Sequence, residues 1–249
     1  STFGKAASRV SLERCLYGEE LSVFAICDGK NYKILSSAQD HKRAYDGDKG
    51  PNTGGMGAYS PTPLSTPDLL ATVGSEIIQP TLTAMAGRGH PYSGFLYVGL
   101  MIVDGKPYVI EFNVRMGDPE AQVVLPRLES SLFELLWHAT AGTLQKTKVE
   151  ISSKTAVTVV IAAEGYPGTY NKGMRIRGLE KLKNRLIFHA GTRQDSHDIL
   201  STGGRVLCPV GFGHDLSEAI LNAYDIVEKI DFKGKYYRTD IGQSGLKHL

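Results

Sequence analysis

The sequence predicts an α+β fold, because strand-like runs are interspersed with stretches of helical periodicity. Residues 95–103 and 106–111 are two apolar runs rich in β-branched and aromatic side chains, and Asp104-Gly105 between them is typical of a hairpin turn. Apolar residues three and four positions apart indicate amphipathic helices on both sides of this hairpin. Later in the chain, strands are predicted at 156–162, 185–190 and 205–210.

The N-terminal part favours a hairpin followed by a helix. Residues 9–16 alternate apolar and polar side chains, 17–19 form a turn, and 21–27 return as a second strand. Thr66 is a suitable N-cap, because proline occupies the next position and an acid follows it. The apolar face of the helix consists of Leu69, Leu70, Val73, Ile77 and Ile78. Pro80 is expected to kink or restart this helix.

Two further helices are predicted downstream. One carries its apolar face on Leu132, Leu135, Leu136 and Ala139, and the other, at about 215–229, on Leu216, Ile220, Tyr224 and Val227. Trp137 and His138 are assigned to packing, and so is His189, for which a pocket position is the alternative. A polar stretch at 147–154 predicts a boundary between domains 1–150 and 151–249, the second rich in strands.

A long polar segment rich in glycine covers residues 37–43 and 46–61. Its length without a periodic apolar pattern predicts a binding loop, with a flexible solvent loop as the alternative. Residues 53–57 read Thr-Gly-Gly-Met-Gly, and their closely spaced backbone N–H groups predict an anion nest. Lys42 and Arg43 add positive charge to this segment.

Three polar residues, Glu111, Asn113 and Arg115, follow the apolar run at every second position. Side chains alternate along a strand, so these three are expected on one face. Carboxylate and amide oxygens suit Mg²⁺, and arginine can hold a phosphate or carboxylate bidentately. A solvated strand face is the alternative, but the dense loop of charges, glycine and proline that follows favours a site for phosphoryl transfer.

The composition is that of a globular protein. The chain has 249 residues, 41% of them hydrophobic and 22% charged, with a net charge of +2. These values argue against disorder, and no apolar run or signal-peptide pattern predicts a membrane segment. A basic stripe that would indicate nucleic-acid binding is absent from the sequence. Cys15, Cys27 and Cys208 lack metal-ligand spacing, so reduced thiols in a cytoplasmic protein are expected.

Residues 115–120 read Arg-Met-Gly-Asp-Pro-Glu and resemble the signature of the glycinamide ribonucleotide synthetase family, usually Arg-Phe-Gly-Asp-Pro-Glu, with Met116 in place of phenylalanine. Further stretches that resemble this family are 39–43, 50–61, 165–168 and 188–192. The family consists of ATP-grasp enzymes, so the resemblance implies an ATP-grasp portion over 1–150 and a small β-rich domain over 151–249. It covers essentially the whole chain but not the whole family protein. The chain is expected to be a C-terminal portion that begins inside the lid, at residues 3–9.

The resemblance implies ATP-dependent ligation of glycine to 5-phosphoribosylamine in de novo purine synthesis, through glycyl phosphate, with Mg²⁺ or Mn²⁺. By this resemblance Glu111 and Asn113 hold the metal, and Arg115, Asp40 and Lys42 act in catalysis. The substrate side would consist of Asn52, Thr53, Gly54, Gly55, Met56, Gly57 and Asp118. The adenine pocket would consist of Glu13, Cys15 and Leu16, with Glu20, or Glu19 as the alternative, on the ribose. Many ATP-grasp proteins place a second metal carboxylate on the preceding strand, where this chain has Tyr97.

The expected partners are the small substrates ATP, glycine and phosphoribosylamine, together with the missing N-terminal part of the same enzyme. Neither nucleic acid nor a membrane is expected as a partner.

Two alternative functions remain. Another ATP-grasp carboxylate–amine ligase, or a carboxylating enzyme related to biotin carboxylase, shares the Glu-x-Asn-x-Arg strand but does not predict the Gly-Asp-Pro-Glu that follows. A folded but non-catalytic fragment of the synthetase is the other.

Overall fold

The computed structural model describes Gly4 and residues 8–248, so residues 3 and 5–7 of the predicted lid segment lie outside the described part. In chain order the strands are β1 (Glu19–Asp28), β2 (Tyr32–Asp40), β3 (Arg43–Tyr45), β4 (Lys49–Asn52), β5 (Gly57–Ser60), β6 (Ser93–Val103), β7 (Lys106–Asn113), β8 (Thr155–Val159), β9 (Ile161–Ala163), β10 (Arg175–Ile176), β11 (Leu186–His189), β12 (Thr192–Asp195), β13 (Asp198–Ser201), β14 (Arg205–Gly213) and β15 (Lys235–Tyr236). Ten of these strands form one sheet in the order β15-β9-β14-β8-β5-β2-β1-β6-β7, with β11 paired to β14. Strands β10, β13 and β12 form a smaller sheet, and β3 pairs with β4.

The α-helices are α1 (Pro67–Thr72), α2 (Gln79–Gly87), α3 (Ala121–Val124), α4 (Leu132–Thr140), α5 (Leu216–Lys229) and α6 (Gln243–Leu246). Short 3₁₀ turns lie at Leu125–Arg127, Leu144–Lys146 and Leu179–Lys181. The Thr66 side chain accepts a hydrogen bond from the N–H of Leu69, which confirms the predicted N-cap of α1. The predicted interruption near Pro80 is a π-helical segment, Val73–Ile78, between α1 and α2. A wider turn accommodates a proline that lacks an N–H and crowds the preceding carbonyls. Among the described helices, none is long and apolar enough to cross a membrane.

Alternate residues of β1 fill two separate cores, as the two-residue period of a strand requires. Leu21 and Val23 belong to a cluster with Leu82 of the α1–α2 region. Phe24 packs on the opposite face in a cluster with Leu135 of α4. A third core lies between α5 and the C-terminal strands. The predicted hairpin of β6 and β7 is confirmed, with Val103 opposite Lys106.

The predicted hairpin partner of β1 over residues 9–16 is wrong, because this segment is irregular and mostly exposed. Strand β1 is already paired on one edge with β2 and on the other with β6, so neither edge is open to residues 9–16. The alternating apolar side chains of the segment therefore lack a surface to pack on, and Leu12 is 97% exposed.

The prediction of one long loop over residues 46–61 is also wrong. The stretch contains β4 and the fully buried strand β5, which pairs with both β2 and β8. Because β8 lies beyond residue 154, the later strands continue the sheet that the earlier ones form. The division into domains at residue 150 stays a prediction.

Two of the side chains assigned to packing are exposed. Trp137 is 63% exposed and stacks on Phe133, because it lies on the solvent side of α4. His189 is also exposed and does not lie in the core, and its Nδ1 lies 2.9 Å from the hydroxyl of Thr192.

A buried arginine near the C-terminus holds the β3–β4 hairpin in place. Arg238 is 1% exposed, and its Nε and Nη2 each donate to the Asp240 carboxylate over 2.7 Å. Its Nη1 donates to Asp48 over 2.8 Å, and the Tyr236 hydroxyl donates to the carbonyl of Ala44. The residues between Lys42 and Thr53 are thus held by the last part of the chain.

We expect Arg238→Met to lower the free energy of unfolding by about 3 kcal/mol, because it leaves two carboxylates without their buried cation. Urea denaturation at pH 7 measures the effect. Arg193→Met is the matched control, since Arg193 forms an exposed pair with Asp195 at 3.7 Å, and a change within about 0.5 kcal/mol is expected. Equal losses in the two variants would contradict the assigned role of Arg238.

Candidate functional site

The ends of β2 and β7 meet at a cavity of about 130 Å³. Pairing of Gly99 with Glu111, and of Tyr97 with Asn113, places the two polar side chains of β7 on one face of the sheet. The residues that line the cavity are Asp40, Lys42, Thr53, Gly54, Tyr97, Glu111, Asn113, Arg115, Gly117, Asp118 and Glu120. The site therefore combines carboxylates, an amide, a lysine and an arginine around a small volume.

The predicted metal ligands lie side by side. Asn113 Nδ2 lies 3.2 Å from Glu111 Oε1 and donates to it, and both side chains reach the cavity. Burial raises the pKa of Tyr97 to about 12, so the residue at the place of the second metal carboxylate is a neutral phenol. In the described part of the chain, no group of three or more His, Cys, Asp or Glu side chains forms a metal cage. One carboxylate and one amide oxygen fit Mg²⁺, which commonly completes its shell with water and phosphate oxygens.

Two carboxyl groups of the cavity have raised pKa values. Burial raises the pKa of Asp40 to about 6, and the charge of Lys42 opposes this shift. Burial and the neighbouring Asp40 raise the pKa of Glu120 to about 7. Burial would lower the pKa of Lys42, but Asp40 and a hydrogen bond to Glu20 raise it overall, so this lysine carries a charge. The cavity therefore contains more carboxyl groups than basic side chains, and a bound cation would balance their negative charge.

Glu120 was not among the residues predicted to form the site. It is 5% exposed, although it belongs to a loop of charged residues. A Cβ atom at Gly117 would lie 2.5 Å from the Glu120 carboxyl carbon, so glycine at 117 is what admits this side chain. The sequence places Glu120 in the signature but carries no sign of its burial.

The predicted anion nest is wrong, because the N–H groups of residues 53–56 are already donated within the protein. Those of Thr53 and Met56 bond to the carbonyls of Lys42 and His41, at 2.7 and 2.8 Å. The N–H of Gly55 bonds to Thr53 Oγ1, and that of Gly54 to the hydroxyl of Tyr166. The turn is thus closed on itself, and its residues Thr53 and Gly54 line the cavity.

The structure brings together half of the residues predicted for the site, which are Asp40, Lys42, Thr53, Gly54, Glu111, Asn113, Arg115 and Asp118. The wall of the cavity does not include Asn52, Gly55, Met56 or Gly57, and Met56 is fully buried in the core. Glu20 bonds to Lys42, whereas Glu13, Cys15 and Leu16 lie on the irregular segment before β1, with Glu13 and Cys15 exposed. Their assignment to adenine, and that of Glu20 to ribose, stay predictions.

Another residue missed from the sequence is Arg205, at the start of β14. Its guanidinium bonds to the Asp118 carboxylate over 2.9 Å and to the carbonyls of Gly54 and Asp118. No local pattern indicates this contact, because 87 residues separate Arg205 from Asp118.

A sheet with Glu-x-Asn-x-Arg at the end of a strand, next to an acidic cavity, is typical of the ATP-grasp class of proteins. The biotin carboxylase domain of a thermophilic 2-oxoglutarate carboxylase aligns with a TM-score of 0.62 at 14% identity, over 88% of this chain and 48% of that one. Such a likeness shows the fold. Models of phosphoribosylglycinamide synthetase match residues 1–121, as the ATP-grasp (A) domain, and 156–244, as the C domain. The chain belongs to the phosphoribosylglycinamide synthetase family.

Relatives of this family carry the name phosphoribosylamine–glycine ligase. The one from Chlorobaculum tepidum is 48% identical over 98% of this chain and 58% of its own length. The one from Pseudomonas syringae is 49% identical over 97% of this chain and 57% of its own length. The crystal structure of the Thermotoga maritima ligase aligns with a TM-score of 0.84 at 40% identity, over 92% of this chain and 57% of that one. The chain therefore spans somewhat more than half the length of its relatives.

We expect Glu120→Gln to raise the stability of the protein at pH 8 by about 2–3 kcal/mol. The pKa of Glu120 is about 7 in the folded protein and returns to its usual 4.5 on unfolding, so the folded state binds more protons and loses stability as the pH rises from 4.5 to 7. Urea midpoints at pH 4, 6 and 8 measure this, and the gain should disappear at pH 4. Glu129→Gln, at an exposed position, is the control. A gain that is the same at all three pH values would contradict the assignment.

Proposed function

We propose that this chain is the part of a phosphoribosylamine–glycine ligase that holds the phosphates of ATP and the carboxyl group of glycine. The proposed reaction joins glycine to 5-phosphoribosylamine and gives glycinamide ribonucleotide, ADP and phosphate. The observation that carries the proposal is the convergence of Glu111, Asn113 and Arg115 with Asp40 and Lys42 on one cavity. The identity of 46–49% to ligases of this name supports it.

In the first step, a glycine carboxylate oxygen attacks the γ-phosphorus of ATP, and ADP leaves. Glu111 and Asn113 would hold Mg²⁺, or Mn²⁺, which neutralises charge on the phosphate oxygens when bound. Arg115 has an exposed side chain beside these two and would hold the phosphate of the resulting glycyl phosphate. Lys42, which also lines the cavity, adds a second cation.

In the second step, the amine of phosphoribosylamine attacks the glycyl carbonyl carbon. The new C–N bond replaces the C–O bond to phosphate, and the amine releases a proton. The volume of the cavity, about 130 Å³, is below the usual range for ligand pockets and suits a substrate as small as glycine. Asp40 and Asp118 lie where they would attract its ammonium group.

The remaining part of the ligase would supply the rest of the site. ATP-grasp sites clamp the nucleotide between two subdomains, and closure both excludes water and completes the phosphate contacts. We therefore propose that the 249-residue chain alone has little or no ligase activity, because one wall of the site lacks its counterpart.

The test replaces the aligned segment of the full-length Chlorobaculum tepidum ligase with this chain. The hybrid, supplied with ATP and Mg²⁺, should release ADP over many turnovers only when both glycine and phosphoribosylamine are present. The isolated chain should show little or no turnover. Turnover of the isolated chain at the rate of the hybrid would refute the need for a second wall. A folded hybrid that releases no ADP, or that prefers another carboxylic acid, would refute the proposed function.

Within the hybrid, Glu111→Gln is expected to lower kcat on the order of 100-fold, because a metal ligand that acts on the transferring phosphate is lost. The melting temperature should stay within about 2 °C, because Glu111 is exposed. Glu129→Gln again serves as control and should leave kcat unchanged. A comparable loss of activity in both variants would argue against the assigned role of Glu111.

A further inference from the structure

Arg205 reaches from the C-terminal half of the chain into the wall of the cavity. Its Nη1 donates to the carbonyl of Gly54 over 2.5 Å, to that of Asp118 over 2.8 Å and to that of Gly55 over 3.4 Å. Its Nη2 donates to the Asp118 carboxylate over 2.9 Å. One guanidinium therefore joins the turn that follows β4 to the loop that follows β7.

Both backbone groups of Gly54 form hydrogen bonds with side chains of the C-terminal half. Its carbonyl accepts from Arg205, and its N–H donates to the hydroxyl of Tyr166 over 3.0 Å. A Cβ atom on residue 54 would lie 3.0 Å from Arg205 Cζ, which is tighter than ordinary contact. The absence of a side chain at position 54 thus lets the guanidinium lie against the backbone.

The backbone of Arg205 is held in the large sheet. The residue begins β14, opposite Ala162 of β9, and its carbonyl accepts a hydrogen bond from the N–H of Gly191 over 2.9 Å. Its side chain is 19% exposed, so its hydrogen bonds are shielded from water more than those of a surface pair. A side chain fixed on a strand can hold mobile loops to a defined separation.

We propose that Arg205 is a positioning residue, which together with Tyr166 holds Gly54 against Asp118 and so sets the width of the substrate cavity. Arg205 acts through Gly54 and Asp118, which line the cavity, and does not itself touch the substrate. The consequence for catalysis rests on the proposed function. The consequence for the two loops does not, and it can be measured on the chain itself.

The first test is hydrogen–deuterium exchange on the 249-residue chain with Arg205→Met, Arg205→Lys and Gly54→Ala. In Arg205→Met, the amides of residues 53–56 and 121 should exchange about 10-fold faster or more, because bonds to a charged donor are lost. Core amides such as those of Val98 and Ala223 should keep their rates. Arg205→Lys should give an intermediate increase, because an ammonium group keeps the charge but cannot span all the acceptors. Gly54→Ala should resemble Arg205→Met.

Arg193→Met is the matched control on the same half of the chain and should alter neither loop. Unchanged exchange at both loops in Arg205→Met would overturn the proposal. So would an equal increase throughout the core, because that pattern reports loss of global stability.

The second test measures steady-state kinetics in the hybrid ligase. Arg205→Met should raise the KM for glycine about 10-fold and leave the KM for ATP unchanged, whereas a purely structural defect would lower kcat through a smaller active fraction. Arg205→Lys should raise the KM for glycine less than Arg205→Met does. An unchanged glycine KM would overturn the proposal. If the hybrid with Arg205 intact has no activity, the proposed function fails, while the exchange experiment still decides the role of Arg205.

Discussion

The pairing of β5 with β8 is the contact on which the arrangement of the site depends. All four residues of β5 are buried, and the strand joins β2 on one side to β8 on the other. A Cβ atom at Gly57 would lie 2.7 Å from the carbonyl oxygen of Thr158, so only glycine allows this close approach. Because the glycine-rich turn ends where β5 begins, the sheet fixes one end of the turn, while Arg205 and Tyr166 fix its middle. The C-terminal half thereby shapes a site whose proposed metal ligands lie in the N-terminal half.

Burial of acidic groups in the cavity lowers the stability of the free protein, and the same groups would stabilise a bound cation. Asp40 and Glu120 both have raised pKa values because they are removed from water, and Lys42 compensates only part of their charge. A cation that enters the cavity interacts favourably with these groups, whether it is a metal ion or an ammonium group. Unfavourable burial of acidic groups is typical of functional sites, where the protein is less stable than the same fold could be.

Much of this arrangement is predictable from local patterns, and the remainder depends on contacts between distant parts of the chain. The β6–β7 hairpin and the shared face of Glu111 and Asn113 follow from the two-residue period and one turn signal. Strand β5 was missed because Gly57-Ala58-Tyr59-Ser60 has little apolar periodicity, and its burial comes from neighbours on both sides. The pattern of the closed glycine-rich turn predicts an anion nest because nothing in it shows that its N–H groups have acceptors within the protein, one of which, Tyr166, is 112 residues away. Arg205 illustrates the same limit, since nothing near it in the sequence indicates that it contacts Asp118.

We propose that Glu111 and Asn113 form a metal site on the wall of this cavity. Crystals of the chain grown with Mn²⁺ and ADP test it directly, because the anomalous signal of Mn²⁺ locates the ion without assumptions about its ligands. We expect one strong anomalous peak at about 2.0–2.3 Å from an oxygen of Glu111 and the amide oxygen of Asn113. The peak should disappear in Glu111→Gln crystals of the same form. A peak at the acidic β3–β4 hairpin near Asp48 and Asp240, with no density at Glu111, would contradict the account.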